Sequence, residues 1–315
     1  MVKKRLFFPE ALDARTLSAV SFLERAGIAR PVLVGPPEEI QRAARMGSFS
    51  LEGVEVWTPS EAERAAYGDR LYEERKAKGL TLEAAHSLLE NPLYAACMAL
   101  KDGRADGVVA GAVGTTADTV RAGFACLGLA EGKNIVFGSF FVECPHAAGV
   151  TQRFLFADSA VSPHPSPRAR AFVGIEAAAL FHRITGETPR VAHLSFSTRG
   201  SAEDESVSSV REAVVLTRKK APTLAVDGEL QGDAALNEDI GRQKNVGSSD
   251  VAGRANVLIF PDLNAGNIAY KLLQHLGGAR AVGPLLSGLA KPMTDLSRGC
   301  SDEDIVDAAA LVSLM

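Results

Sequence analysis

Short apolar runs alternate with longer amphipathic stretches along almost the whole chain, and glycine, proline or a capping side chain marks most of the changes. Residues 4–8 form the first apolar run. A helix then opens at Asp13 or Thr16 and buries Leu17, Val20, Leu23 and Ala26 before Gly27 stops it. Residues 30–35 read as a second strand and residues 37–46 as a second helix, with Pro37 where a first helical turn tolerates proline. A charged helix is predicted over 61–78, a shorter one over 81–89 capped by Thr81, and a third from Asn91 through Leu100. Residues 106–121 read as a buried strand, a glycine-rich turn and a helix start whose N–H groups and dipole suit an anion.

The rhythm continues with strands at 135–142, 153–158, 191–196, 223–227 and 255–261, and with helices at 168–183, 207–219 and 267–276. Strands alternating with helices predict an α/β fold, a mainly parallel sheet with helices on both faces. Residues 145–150 are expected to be a loop, and the polar, glycine-rich stretch 237–252 a surface crossing. The proline-rich segment 162–167 fits a mobile loop and a passive turn equally well. Asp227 and Glu229 are expected at a strand's C-terminal end, where ligands of open α/β sheets bind. Residues 277–284 are expected to lead the chain back to a first domain.

At 315 residues the chain is long for one core and fits about two domains. Apolar residues at 46% and charged residues at 23% are ordinary for a globular protein, and a net charge of −4 offers no basic field for nucleic acid. No apolar run approaches the roughly 20 residues that span a bilayer, and the start turns charged too soon for a signal peptide. A cytoplasmic location is the expectation. The four cysteines show no CxxC spacing, so neither a metal site nor a disulfide framework is indicated. The six histidines pair with no nucleophile motif and are expected to be structural.

The densest chemistry lies in residues 288–304, Gly-Leu-Ala-Lys-Pro-Met-Thr-Asp-Leu-Ser-Arg-Gly-Cys-Ser-Asp-Glu-Asp. Pro292 and Gly299 bracket a segment expected to be irregular, and a helix follows whose apolar face is Ile305, Ala308, Ala309 and Val312. Ser297, Arg298 and Asp304 thus bring a hydroxyl, a planar cation and a carboxylate onto one loop and helix start. Ser301 and Asp304 also have the spacing of a capping box, and Ser297 and Arg298 also fit a turn hydroxyl and a solvated charge.

LAKPMTDLSRGCSDED and FPDLNAGNIAYKL (residues 260–272) resemble the C-terminal signatures of the phosphate acetyltransferase, or phosphotransacetylase, family. The resemblance extends through FPEALDARTLSAV, ERKAKGLT, TVRAGF, FADSAV and VDGELQGDAA, in one order along nearly the whole chain. It implies two α/β domains of the isocitrate/isopropylmalate dehydrogenase kind, with residues 1–135 plus 284–315 in one and 136–283 in the other, and an active site in the cleft. It implies acetyl transfer between coenzyme A and phosphate, with no metal and no permanently bound cofactor, by a homodimer. CoA, acetyl-CoA, acetyl phosphate and phosphate are the implied partners, all small molecules.

The resemblance also implies roles. Asp304 becomes the base for the CoA thiol, Ser297 the donor to the oxyanion, and Arg298 the holder of the phosphoryl oxygens. Arg75, Arg121 and Thr116 become substrate or CoA contacts, Arg75 and Arg121 falling on arginines of the family's motifs. The family's histidine and serine run is here Val113-Gly-Thr-Thr116, which leaves acyl preference open between acetyl and butyryl or another short chain. Cys144 sits in a shifted pattern and is left out of the site. Two other classes are a nicotinamide-dependent dehydrogenase, for which no adenine-nucleotide site or aspartate group is found, and a non-catalytic acyl-CoA effector-binding domain.

Overall fold

Leu6, Phe7 and Phe8 carry no polar side chain to place in water, and all three are buried in strand β1 (Arg5–Phe8). The computed structural model describes residues 3–145, 151–244 and 249–315. Most of the loop expected at 145–150, with His146, and residues 245–248 of the expected crossing lie outside the described residues. The chain divides into two units, Met1–Val136 with Gly288–Met315, and Phe137–Ser287.

In the first unit β1 leads into α1 (Ala14–Ala26), capped by Asp13 and closed by Gly27 in the left-handed region. β2 (Arg30–Val34), α2 (Pro37–Met46) and β3 (Glu55–Trp57) follow. The charged helix α3 (Glu61–Arg75) starts on a Ser60–Glu63 capping box and ends three residues earlier than expected, in a 3-10 turn. α4 (Leu82–Leu88), α5 (Pro92–Lys101), β4 (Gly107–Ala110) and α6 (Thr116–Cys126) complete the first passage.

The second unit contains β5 (Phe137–Pro145), β6 (Thr151–Ala157), α7 (Pro167–Thr185), β7 (Arg190–Leu194), α8 (Glu205–Lys220) and β8 (Ala225–Leu230). It continues through α9 (Gly232–Leu236), α10 (Glu238–Gln243), β9 (Val257–Ile259), α11 (Leu263–Gly277) and β10 (Arg280–Ser287). Its strands run in the order β10-β5-β6-β9-β7-β8, and β5 pairs antiparallel with both β10 and β6. The parallel character predicted for the sheet therefore holds here only from β6 to β8.

Three expectations for this unit are corrected. Residues 238–243 form a helix because the Asn237 side chain accepts from the N–H groups of Asp239 and Ile240 and starts it. Residues 280–287 form a strand, not a plain return. Asp227 and Glu229 lie inside β8 and are buried: Arg199, Arg218 and Ser249 engage Asp227, while Arg211, Ser197 and the Gly200 N–H engage Glu229. Burial pushes the Glu229 carboxyl up, but the Arg211, Gly200 and Ser197 hydrogen bonds outweigh it and hold the pKa at about 2. These carboxylates brace the unit. Asp158 of FADSAV likewise accepts from four backbone N–H groups, of Gly138, Ala160, Val161 and Ser162, and shapes a turn.

The chain then re-enters the first unit as β11 (Met293–Asp295) and α12 (Asp302–Val312). The segment expected to be irregular is so only in part: Pro292 lacks a donor but offers its carbonyl to Val108 N at 3.2 Å, Met293–Asp295 then pairs in parallel with β4, and residues 296–301 remain irregular as expected. Ile305, Ala308, Ala309 and Val312 are the buried face of α12, as their spacing predicts. The strand order is β3-β2-β1-β4-β11, all parallel. The winding reverses between β1 and β4, so the loops after their C-terminal ends flank the switch point at which such sheets receive ligands.

Candidate active site

Hydrogen bonds lock together three of the loops at the C-terminal edge of the first unit's sheet, those after β1, β4 and β11. Glu10, just past β1, accepts from the backbone N–H groups of Ala112, Val113 and Gly114 at 2.7, 3.0 and 2.9 Å. The N–H groups of the glycine-rich turn, expected to be open to an anion, are thus already received by a carboxylate of the chain. Arg15, in the first turn of α1, is held by Asp13 at 2.9 and 3.0 Å and donates to the carbonyls of Ala112, Arg298 and Cys300 at 2.7, 2.8 and 2.9 Å. Ser18 adds a 2.6 Å bond to Asp302.

The β11–α12 connection carries Ser297, Arg298 and Asp304. Asp304 does form the capping box: its Oδ2 accepts from Ser301 N at 2.8 Å and its own N–H donates to Ser301 Oγ at 3.1 Å. The residue is half-buried. Ser297 Oγ accepts from Gly299 N at 3.3 Å in a tight turn. Arg298 is exposed, and its guanidinium makes no ion pair or hydrogen bond with the described residues, although its carbonyl is fixed by Arg15. A rigid backbone therefore presents a free planar cation.

The other predicted contacts gather at α6. Thr116 is its first residue, exposed beside the Thr115 cap. Arg121 is exposed and pairs with Asp118 at 2.7 Å. Arg75 reaches the far end of the same helix, where Nε donates to Ala125 O at 2.8 Å and Nη2 to Phe124 O, with the guanidinium over the Phe124 ring. Arg75 is thus first a C-terminal cap of α6.

The sequence pattern alone assigns no role to Glu10, Arg15 or Asp295. Glu10 and Arg15 sit in FPEALDAR, where polar residues crowd just past an apolar strand, and that was the available signal. Asp295 ends β11 fully buried, with both carboxylate oxygens lacking a hydrogen-bond partner. Burial pushes its pKa up to about 6. The thiols are poor nucleophile candidates: burial raises Cys126 to about 12 and Cys300 to about 11, and Cys144 and Cys97 also move up. His193, driven down to about 3 by burial, is neutral and structural. Among the described residues no helix is long and apolar enough to cross a membrane.

Comparison with known proteins identifies the family. The phosphate acetyltransferase of Acetivibrio thermocellus is 45% identical over 99% of this chain and 93% of its own length. A phosphotransacetylase crystal structure from Streptococcus pyogenes superposes with a TM-score of 0.89 at 36% identity, covering 99% of this chain and 93% of that one. A 4-hydroxythreonine-4-phosphate dehydrogenase from Burkholderia phymatum, at 12% identity, a TM-score of 0.54 and 99% coverage of both chains, shares the fold alone. The family profile described as phosphate acetyl/butaryl transferase matches residues 1–313, and the chain belongs to that family.

Proposed function

We propose that the protein is a phosphate acetyltransferase, moving an acetyl group reversibly between coenzyme A and phosphate. The observation that carries this is the β11–α12 connection, which offers the Ser297 hydroxyl, the unpaired Arg298 guanidinium and the Asp304 carboxylate from a backbone fixed by Arg15. In the direction of thioester synthesis, the CoA sulfur attacks the carbonyl carbon of acetyl phosphate. The carbon–oxygen bond to phosphate then breaks, and phosphate leaves with that electron pair. Asp304 takes the thiol proton, Ser297 donates to the oxyanion, and Arg298 holds the phosphoryl oxygens. Arg121 and Thr116 take the role of substrate contacts in this reading, and Arg75 keeps Nη1 for the same purpose while holding α6.

An ordinary thiol near 8.5 and an ordinary carboxylate near 3.9 make full proton transfer uphill by about 6 kcal/mol. The proton therefore moves to the base as the sulfur–carbon bond forms, with the neighbouring arginines stabilising thiolate character.

A homodimer is supported by the stripe Ile268, Leu272 and Leu276 on α11, exposed by 55%, 53% and 83% at one-turn spacing. The cytoplasm is the fitting location, since CoA and acyl phosphates are highly charged and do not cross membranes unaided. Mixing the purified protein with CoA and acetyl phosphate is expected to raise thioester absorbance without added divalent metal. Failure with acetyl, propionyl and butyryl phosphate alike overturns the assignment in favour of effector binding, and a butyryl preference above tenfold reassigns the acyl group.

A further inference from the structure

Asp295 and Gly111 are shaped for each other. Gly111 follows β4 with φ +101°, and a Cβ there would collide with Asp295 Oδ1 and with the backbone of Leu296. Leu296 N donates to Ala110 O at 2.6 Å, so β4 continues to hold β11 past Asp295, up to the residue before Ser297. The space vacated by the glycine receives a carboxylate that is 0% exposed and whose two oxygens have no hydrogen-bond partner. An asparagine or a leucine would fill such a pocket without burying a charge.

From β4's exit Asp295 faces Gly111, which has no side chain, and from the loop after β1 the negative Glu10. From α6 it faces the hydroxyls of Thr116 and Thr119, near enough to favour the ionised form yet short of completed hydrogen bonds. Thr119 Oγ1 instead donates to the Thr115 carbonyl at 3.3 Å, a long bond readily exchanged for a carboxylate. No cation is among the groups that shift Asp295, and burial raises its pKa to about 6.

We infer that Asp295 is a positioning residue, whose ionised carboxylate draws the Thr116 and Thr119 hydroxyls of α6 against β11 and so sets the loop carrying Ser297 and Arg298 relative to the Thr116 end of the site. The inference rests on the acetyltransferase reading. It links the two groups of site residues, one after β11 and one on α6, through a single buried carboxylate. Below its pKa the carboxyl is neutral, its pull on the hydroxyls weakens, and the two groups lose their register.

The test compares kcat/KM of the wild type and Asp295→Asn from pH 5 to 7.5 with the same substrates, so that substrate ionisation cancels in the ratio. With a pKa of about 6, the wild-type advantage falls about tenfold from pH 7.5 to 5, and kcat carries more of it than KM. A ratio flat with pH in a folded variant overturns the inference. Should Asp295→Asn not fold, Thr119→Val decides: removal of the donor moves the acid limb up by half a pH unit or more, and an unmoved limb refutes the link. If the wild type forms no thioester at all, the functional reading fails separately. Carboxyl NMR of labelled aspartate then still reads the contact: titration near 6 that rises in Thr119→Val supports it, and titration below 4.5 overturns it.

Discussion

Arg15 donates to the carbonyl oxygen of Arg298 at 2.8 Å, so the backbone behind the unpaired guanidinium is held from α1, nearly the whole length of the chain away. The same nitrogen reaches Cys300 O, and its neighbour reaches Ala112 O. One planar fork therefore fixes both the turn after β4 and the loop after β11.

Replacing Arg15 by lysine keeps the charge and loses that geometry. Arg15→Lys is expected to cost about 2 kcal/mol in urea unfolding, since hydrogen bonds to charged groups contribute about 1.5 to 3 kcal/mol and one ammonium cannot span these acceptors. Turnover should fall roughly tenfold or more as the Arg298 backbone loosens. A variant unchanged in both would show that the brace is dispensable.

Asp295→Asn should be no less stable than the wild type at pH 7.5, and more stable if the amide finds partners. Burial raises the folded pKa from 3.8 to about 6, so between these values the folded chain binds more protons than the unfolded one. Wild-type stability therefore declines as pH rises through that window, by at most about 3 kcal/mol. The asparagine variant lacks this decline, and denaturant midpoints at pH 4, 5, 6 and 7.5 measure it. A wild-type curve that rises relative to the variant across the window would contradict the assignment.

Glu229 behaves in the opposite sense. Its folded pKa is lowered from 4.5 to about 2, so its contribution is complete above 4.5 and disappears as pH falls towards 2. Glu229→Gln leaves Arg211 without its buried anion and should cost about 3 kcal/mol at pH 7. The gap from wild type should close on acidification, as followed by urea unfolding at stepped pH. A gap independent of pH would assign the loss to packing alone.

Much of the fold was legible because it depends on local pattern. Pro37–Met46 and the buried face of α12 follow from caps and from the 3.6-residue period. What was missed depends on pairing at a distance. Met293–Asp295 is too short to show a strand pattern and becomes one only beside β4, while β10 reads as a connector until β5 lies against it. In the site, Ser297, Arg298 and Asp304 share eight residues and a signature, so they were visible. Glu10 and Arg15 act across more than a hundred positions, and the burial of Asp295, Asp227 and Glu229 is a tertiary fact that composition cannot display. Arg75 was expected to contact substrate, and its bonds to the end of α6 could be seen only in three dimensions.

If Asp304, besides capping α12, removes the proton from the CoA thiol, turnover of Asp304→Asn must show it. Asparagine accepts the Ser301 N–H almost as well, so the melting temperature should stay within a few degrees and any stability loss should not exceed about 1 kcal/mol. Thioester formation should be at least roughly 100-fold slower at neutral pH, with partial recovery at high pH where the thiol ionises unaided. Near-wild-type turnover in the folded variant would contradict the base role and leave Asp304 as a helix cap.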